Sequence, residues 1–140
     1  MMNVNQENKV IRASLESVMA DYPTLTDTGF LTKYNSDSRT WEEYHHKLAE
    51  RREALCQAIE SYRETMIWLR CIEPLPSINE EAHSYRMKHH AEHSIQRYVS
   101  NGTFIAAALT CGFQMKRCPD SSPNVWFNMS SASLGQTAVY

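Results

Sequence analysis

Glycine is scarce in this 140-residue chain: Gly29, Gly102, Gly112 and Gly135 are the whole set. None lies in a run that could cradle phosphates or a dinucleotide. Gly-x-Ser-x-Gly and His-Glu-x-x-His are both missing, so neither a nucleophile elbow nor a zincin helix has support. The four cysteines, Cys56, Cys71, Cys111 and Cys118, include no Cys-x-x-Cys pair. That pattern argues against a zinc ribbon and predicts reduced thiols. No apolar run approaches the roughly 18 residues of a membrane span. Residues 1–9 are polar and lack the apolar stretch of a secretory signal. The expectations are a cytoplasmic location, no membrane association, no cofactor, no metal site and no enzymatic activity.

What is present is an ordinary globular composition, 42% apolar, which argues against wholesale disorder. The length fits one domain, residues 1–140, with a helical-hairpin half (1–76), a second half (77–129) and a flexible tail (130–140). Charge is uneven. Residues 1–81 hold 9 basic and 14 acidic side chains, whereas residues 82–140 hold 5 and 2.

Helical periodicity dominates the first half. Ile11, Leu15, Val18 and Met19 predict a helix near residues 6–20. Pro23, Gly29 and the polar cluster at 35–38 mark a connection over 22–40. Thr40 and Glu43 have the spacing of a capping box. Trp41, Leu48, Leu55, Tyr62 and Leu69 then recur every seven residues, with no proline or glycine before Pro74. The spacing predicts one long helix over 40–71, about 45 Å in length. Its stripe suits a helical hairpin within the chain or a homodimer.

Pro74 and Pro76 end that helix, and Ser77 with Glu80 reads as a second capping box. A third helix is expected over 78–99, with Tyr85, Ala91, Ile95, Tyr98 and Val99 on its apolar face. A fourth is expected over 103–111. It lacks any charged side chain, which marks a buried helix with Ile105 and Leu109 in the core. Gly112 suits its left-handed terminal position. Residues 114–118 and 124–129 read as a hairpin, Phe113, Met115, Val125, Phe127 and Met129 sharing its inner face. The fold class is mainly α, within α+β: a long helical hairpin followed by a helix–turn–helix and a two-stranded β-hairpin.

That last order resembles a winged helix–turn–helix. The resemblance implies a dimeric DNA-binding regulator contacting nucleic acid through Arg86, Lys88, Arg97, Lys116 and Arg117. The expected reading helix argues against it, because its open face offers Ala106, Ala107 and Thr110 in place of base-reading side chains. His83, His89, His90 and His93 gather near the basic set. His89 and His93, like His46 and Glu50, stand four apart, but no full ligand set is evident. The Ser100-Asn-Gly-Thr103 turn opens a helix whose amides suit an anion or ordinary capping by Ser100.

Glu42, Glu43, Glu50, Glu53, Glu60 and Glu64 line the long helix and offer an acidic face to a basic partner. The chain also resembles short proteins carried by phages and other mobile elements. That resemblance implies an inhibitor or regulator that blocks a nucleic-acid-handling complex. A protein-interaction module is the expected function, and direct nucleic-acid binding is the alternative.

Overall fold

The computed structural model of the chain describes residues 1–132 and residue 134. Among them are five helices and two small antiparallel sheets. Helix α1 (Val4–Asp21) begins at Asn3, whose side chain accepts from the Gln6 amide while the Gln6 side chain accepts from the Asn3 amide, both at 2.9 Å. Leu15, Val18 and Met19 form its buried stripe.

The expected connection contains a minimal hairpin, β1 (Leu25–Thr26) and β2 (Gly29–Phe30). Helix α2 (Trp41–Gln57) starts at Thr40, whose hydroxyl accepts from the Glu43 amide at 3.1 Å. The Glu43 carboxylate takes the Arg39 amide at 2.8 Å, so the returning bond reaches one residue further out than the capping-box pattern implies.

The single helix expected over 40–71 is two. Helix α2 stops at Gln57, Ala58 leaves helical geometry with ψ +44°, and α3 (Ile59–Leu69) resumes. Different neighbours explain the break. Helix α2 lies against α1 and β1, whereas α3 packs on α1, α4 and α5. A straight rod would aim its stripe along one seam. The stripe's outer end, Trp41, is exposed, while Leu55, Tyr62 and Leu69 are buried.

A second correction concerns residues 74–83, expected partly as the start of a helix. They form strand β3 (Pro74–His83), and the third helix is shorter, α4 (Ser84–Ile95). Pro76 disfavours helical geometry at the residue before it. Cross-chain bonds then decide the outcome: Asn79 donates to the Met129 carbonyl at 2.9 Å and Asn128 to the Leu75 carbonyl at 3.0 Å. Prolines are tolerated because β3 is an edge strand. Its pairing is bulged, with register shifts on both sides of Asn79. Helix α4 buries Met87 and Ala91 and ends at Gln96, left-handed at φ +63°. Tyr85 and Tyr98, expected on an apolar inner face, are exposed.

Helix α5 (Asn101–Thr110) is the centre of the core, buried from Asn101 through Ala108. Ile105 is fully buried, and Leu109 is half-buried, less than its pattern predicts. The helix ends in a Schellman arrangement: the Gly112 amide donates to Leu109 and the Phe113 amide to Ala108, both at 3.1 Å, with Gly112 at φ +92°. Strands β4 (Met115–Arg117) and β5 (Val125–Met129) pair as expected, Lys116 opposite Trp126. They belong to a three-stranded sheet of order β3-β5-β4. The sheet has three strands where the sequence predicts a two-stranded hairpin, and the second helix, α5, is buried over Asn101–Ala108. Of the tail, Leu134 is buried against the core; residues 133 and 135–140 lie outside the described residues.

Candidate functional site

The acidic residues divide at the Ala58 break. Glu42, Glu43, Glu50 and Glu53 fall within an arc of about 100° on α2, opposite its buried Tyr44 and Leu55. All four are exposed. Among the described residues none of them pairs with a lysine or arginine. Glu50 faces His46 at 3.7 Å, and Glu53 accepts from Gln57 at 2.7 Å. The other two predicted carboxylates lie on α3 and are neutralised, Glu60 by Arg63 and Glu64 by Arg97, each at 3.1 Å. Glu60 is therefore not part of the α2 arc. Trp41 stands at the N-terminal end of α2, 63% exposed, with Lys33 over its ring at 5.2 Å.

Of the basic residues weighed for nucleic acid, Lys88 is buried and Arg86, Arg97, Lys116 and Arg117 are exposed. Arg86 is exposed on α4. Lys88 is 5% exposed and bound to Glu92 at 2.6 Å, which removes it from phosphate contact. Arg97 is engaged by Glu64. Lys116 sits over Trp126 at 5.9 Å and Arg117 over Phe30 at 3.9 Å. Burial lowers the Arg117 pKa, while the neighbouring Cys118 thiol favours its charge.

His83 closes β3, whereas His89, His90 and His93 lie on α4. Burial pushes His83 and His90 below the usual histidine range; Arg86, His89 and His93 add to the shift at His90. Among the described residues, no group of three or more His, Cys, Asp or Glu side chains converges as metal ligands. The helix-opening turn at Ser100 is occupied by the chain itself. Ser100 Oγ accepts from the Thr103 amide at 3.0 Å, and the Gly102 amide donates to the Asp27 carbonyl at 2.8 Å.

That last bond marks a feature the sequence reading missed. The β1–β2 turn is clamped between α2, α5 and the loop before β5. The Asp27 amide donates to the Arg51 carbonyl at 3.3 Å, and the Phe30 amide to the Pro123 carbonyl at 3.0 Å. Asn101 donates to the Thr28 carbonyl at 3.0 Å and to Asn124 Oδ1 at 2.9 Å. The approach requires Gly102: a Cβ there would stand 1.6 Å from the Thr26 carbonyl oxygen. Beside the clamp lies a cleft of about 700 Å³, lined among others by Asp27, Arg51, Lys88, Glu92, Tyr85 and Tyr98. Burial raises the Asp27 pKa above the usual aspartate value, and Arg51, 3.6 Å away, only partly offsets it. A local signal existed in the polar Asn101 at the head of a helix that is mostly apolar. Its partner at Thr28 lies 73 residues away, beyond the reach of periodicity.

A second groove, about 410 Å³, contains Glu50 and His46 and shares Thr28, Arg51 and Pro123 with this cleft. The acidic face and the cleft thus adjoin across Arg51. No protein-family model, curated protein or solved structure matches the chain.

Proposed function

We propose that this chain is a non-enzymatic protein-interaction module whose α2 face docks on a basic, nucleic-acid-handling partner and blocks nucleic acid there. One observation carries the reading: Glu42, Glu43, Glu50 and Glu53 share one exposed face and, among the described residues, pair with no lysine or arginine, while Glu60, Glu64 and Glu92 are paired. A surface holding uncompensated charge of one sign speeds encounter with the opposite sign and rejects like charge. Trp41, exposed at the start of α2, supplies an aromatic of the type that anchors interfaces. The setting is an inhibitor or regulator of the kind mobile elements carry.

The test is capture from the native host with wild type and with Glu43→Lys/Glu53→Lys, followed by mass spectrometry. The wild type is expected to retain a basic nucleic-acid-binding protein that the variant loses. The difference is expected to shrink in high salt, because exposed charges are screened over about 8 Å at physiological ionic strength. A parallel gel shift with random duplex tests the alternative. Tight duplex binding by the wild type, lost in Lys116→Glu/Arg117→Glu, would overturn the acidic-face reading in favour of a DNA-binding regulator.

A further inference from the structure

Two tyrosines at the cleft are held in place without being buried. Tyr85 is 51% and Tyr98 70% exposed. The buried Lys88 ammonium, bound by Glu92 at 2.6 Å, lies over the Tyr85 ring at 5.1 Å and over the Tyr98 ring at 5.0 Å. His89 meets Tyr85 edge-on at 4.6 Å. A cation beneath the surface thus positions both rings. With the ammonium against one face of Tyr98, its exposure leaves the other face to solvent. Large rings fixed in place and left in water mark a surface that meets something else.

The exposed groups around the rings are cationic or aromatic. Tyr85, His89 and His93 stand four apart on α4 and share one face, with Arg86 beside them, and all four are exposed. Arg97 and Tyr98 follow the helix end at Gln96. Arg51 lines the same cleft as Tyr85, His89 and Tyr98. A second groove, about 490 Å³, is lined by His89, His93, Arg97 and Tyr98 among others. The carboxylates here are more buried than the arginines they face. Arg51 is 50% exposed against 22% for Asp27, and Arg97 likewise exceeds Glu64. Glu64 accepts from Arg97 Nε, and a guanidinium carries further N–H donors. The outward surface is therefore one of rings and guanidiniums.

We propose that this α4 ledge binds single-stranded nucleic acid, stacking bases on Tyr98 and Tyr85 and holding phosphates with Arg51, Arg86 and Arg97. The proposal goes beyond the acidic-face reading and uses other side chains. Exposed rings accept any unpaired base, because every base has a π-face. Guanidinium forks match phosphate oxygens, and histidine also stacks on bases. A duplex keeps its base faces stacked inside, so the rings favour the single strand. The α2 carboxylates adjoin the cleft across Arg51 and repel phosphate, which keeps the strand on the α4 side.

The experiment is fluorescence anisotropy of the full chain with labelled oligouridylate, oligodeoxythymidylate and a random duplex of the same length, at low salt. Saturable binding of a single strand is expected, tighter than that of the duplex. Binding of one strand alone identifies RNA or DNA, and binding of both places recognition in the shared bases and phosphates. Tyr98→Ala is expected to weaken binding roughly tenfold, within the range for one lost stacked base. Tyr98→Phe keeps the ring and is expected to bind as the wild type, both variants retaining the wild-type circular dichroism. Three arginines on phosphates predict a log–log salt slope of about −2, at about −0.7 for each single-strand phosphate. No single-strand binding, tighter binding of the duplex, equal affinity for polyglutamate, unchanged affinity in Tyr98→Ala or equal loss in both Tyr98 variants would overturn the proposal. No protein partner enters the measurement, so its result is separate from that of the acidic-face reading.

Discussion

The guanidinium of Arg52 caps the carboxyl end of α1 by donating to the Met19 carbonyl at 2.9 Å. The same group also donates to the carbonyls of Tyr22 and Leu25, each at 2.9 Å. One side chain from α2 thus ties together three carbonyls at the helix end and its exit, two of which, Met19 and Tyr22, also accept the backbone amides of Tyr22 and Leu25. Burial lowers the Arg52 pKa without prospect of discharging a guanidinium at ordinary pH. Arg52→Ala is expected to cost about 2–3 kcal/mol in urea unfolding, the scale of charge-assisted bonds. Arg52→Lys should recover less than half of that, because an ammonium lacks the planar fork.

Gly102 in α5 and Gly112 just past its end predict opposite grades of damage. Gly102→Ala drives a Cβ into the Thr26 carbonyl at 1.6 Å, a backbone contact with nowhere to yield. Loss of the folded state, about 4 kcal/mol or more, is expected by circular dichroism. Gly112→Ala meets open space and only a positive φ, so about 1 kcal/mol is expected. Equal effects would contradict the packing of the β1–β2 turn on α5.

Core truncation separates Ile105 from Leu109. Ile105 is fully enclosed, so Ile105→Ala should cost about 2–5 kcal/mol. Leu109 is half-buried beside the core, and Leu109→Ala should cost less than Ile105→Ala in the same thermal scan. A larger loss at Leu109 would mean that it is enclosed.

Asp27 predicts a pH dependence. Its pKa is raised from 3.8, so between that value and the higher folded one the folded chain binds more protons than the unfolded. Stability therefore falls as pH rises through this window and stays reduced above it. Asp27→Asn should raise the Tm at pH 7, with the gain shrinking below the unfolded value. A lowered Tm at pH 7 would show that the Arg51 contact outweighs the burial.

Legibility followed the range of the interactions. Helix α1, the Thr40 cap, the buried α5 and the Gly112 terminus rest on bonds within a few residues, and each was readable as a pattern. The β4–β5 hairpin was readable for the same reason. Residues 74–83 were misread because Ser77 and Glu80 satisfy a local helix rule, while Asn79 and Asn128 supply strand partners from about fifty residues away. The break at Ala58 carries no proline or glycine; only the different neighbours of α2 and α3 require it. Carboxylates were easy to nominate, but which ones are paired depended on Arg63 and Arg97. The Asp27–Asn101 cleft gathers residues from both halves of the chain, so no window of sequence contained it.

Helix α5 is the surface on which α1, α3 and α4 converge, yet it starts at residue 101. Synthesis runs from the amino end, so the ribosome delivers three helices before the core that seats them. Leu15, Tyr62 and Leu69 wait in the open until then, attractive to chaperones and to one another. A chain interrupted before residue 101 yields a substrate for quality-control proteases, because α1, α3 and α4 then lack the helix on which they converge.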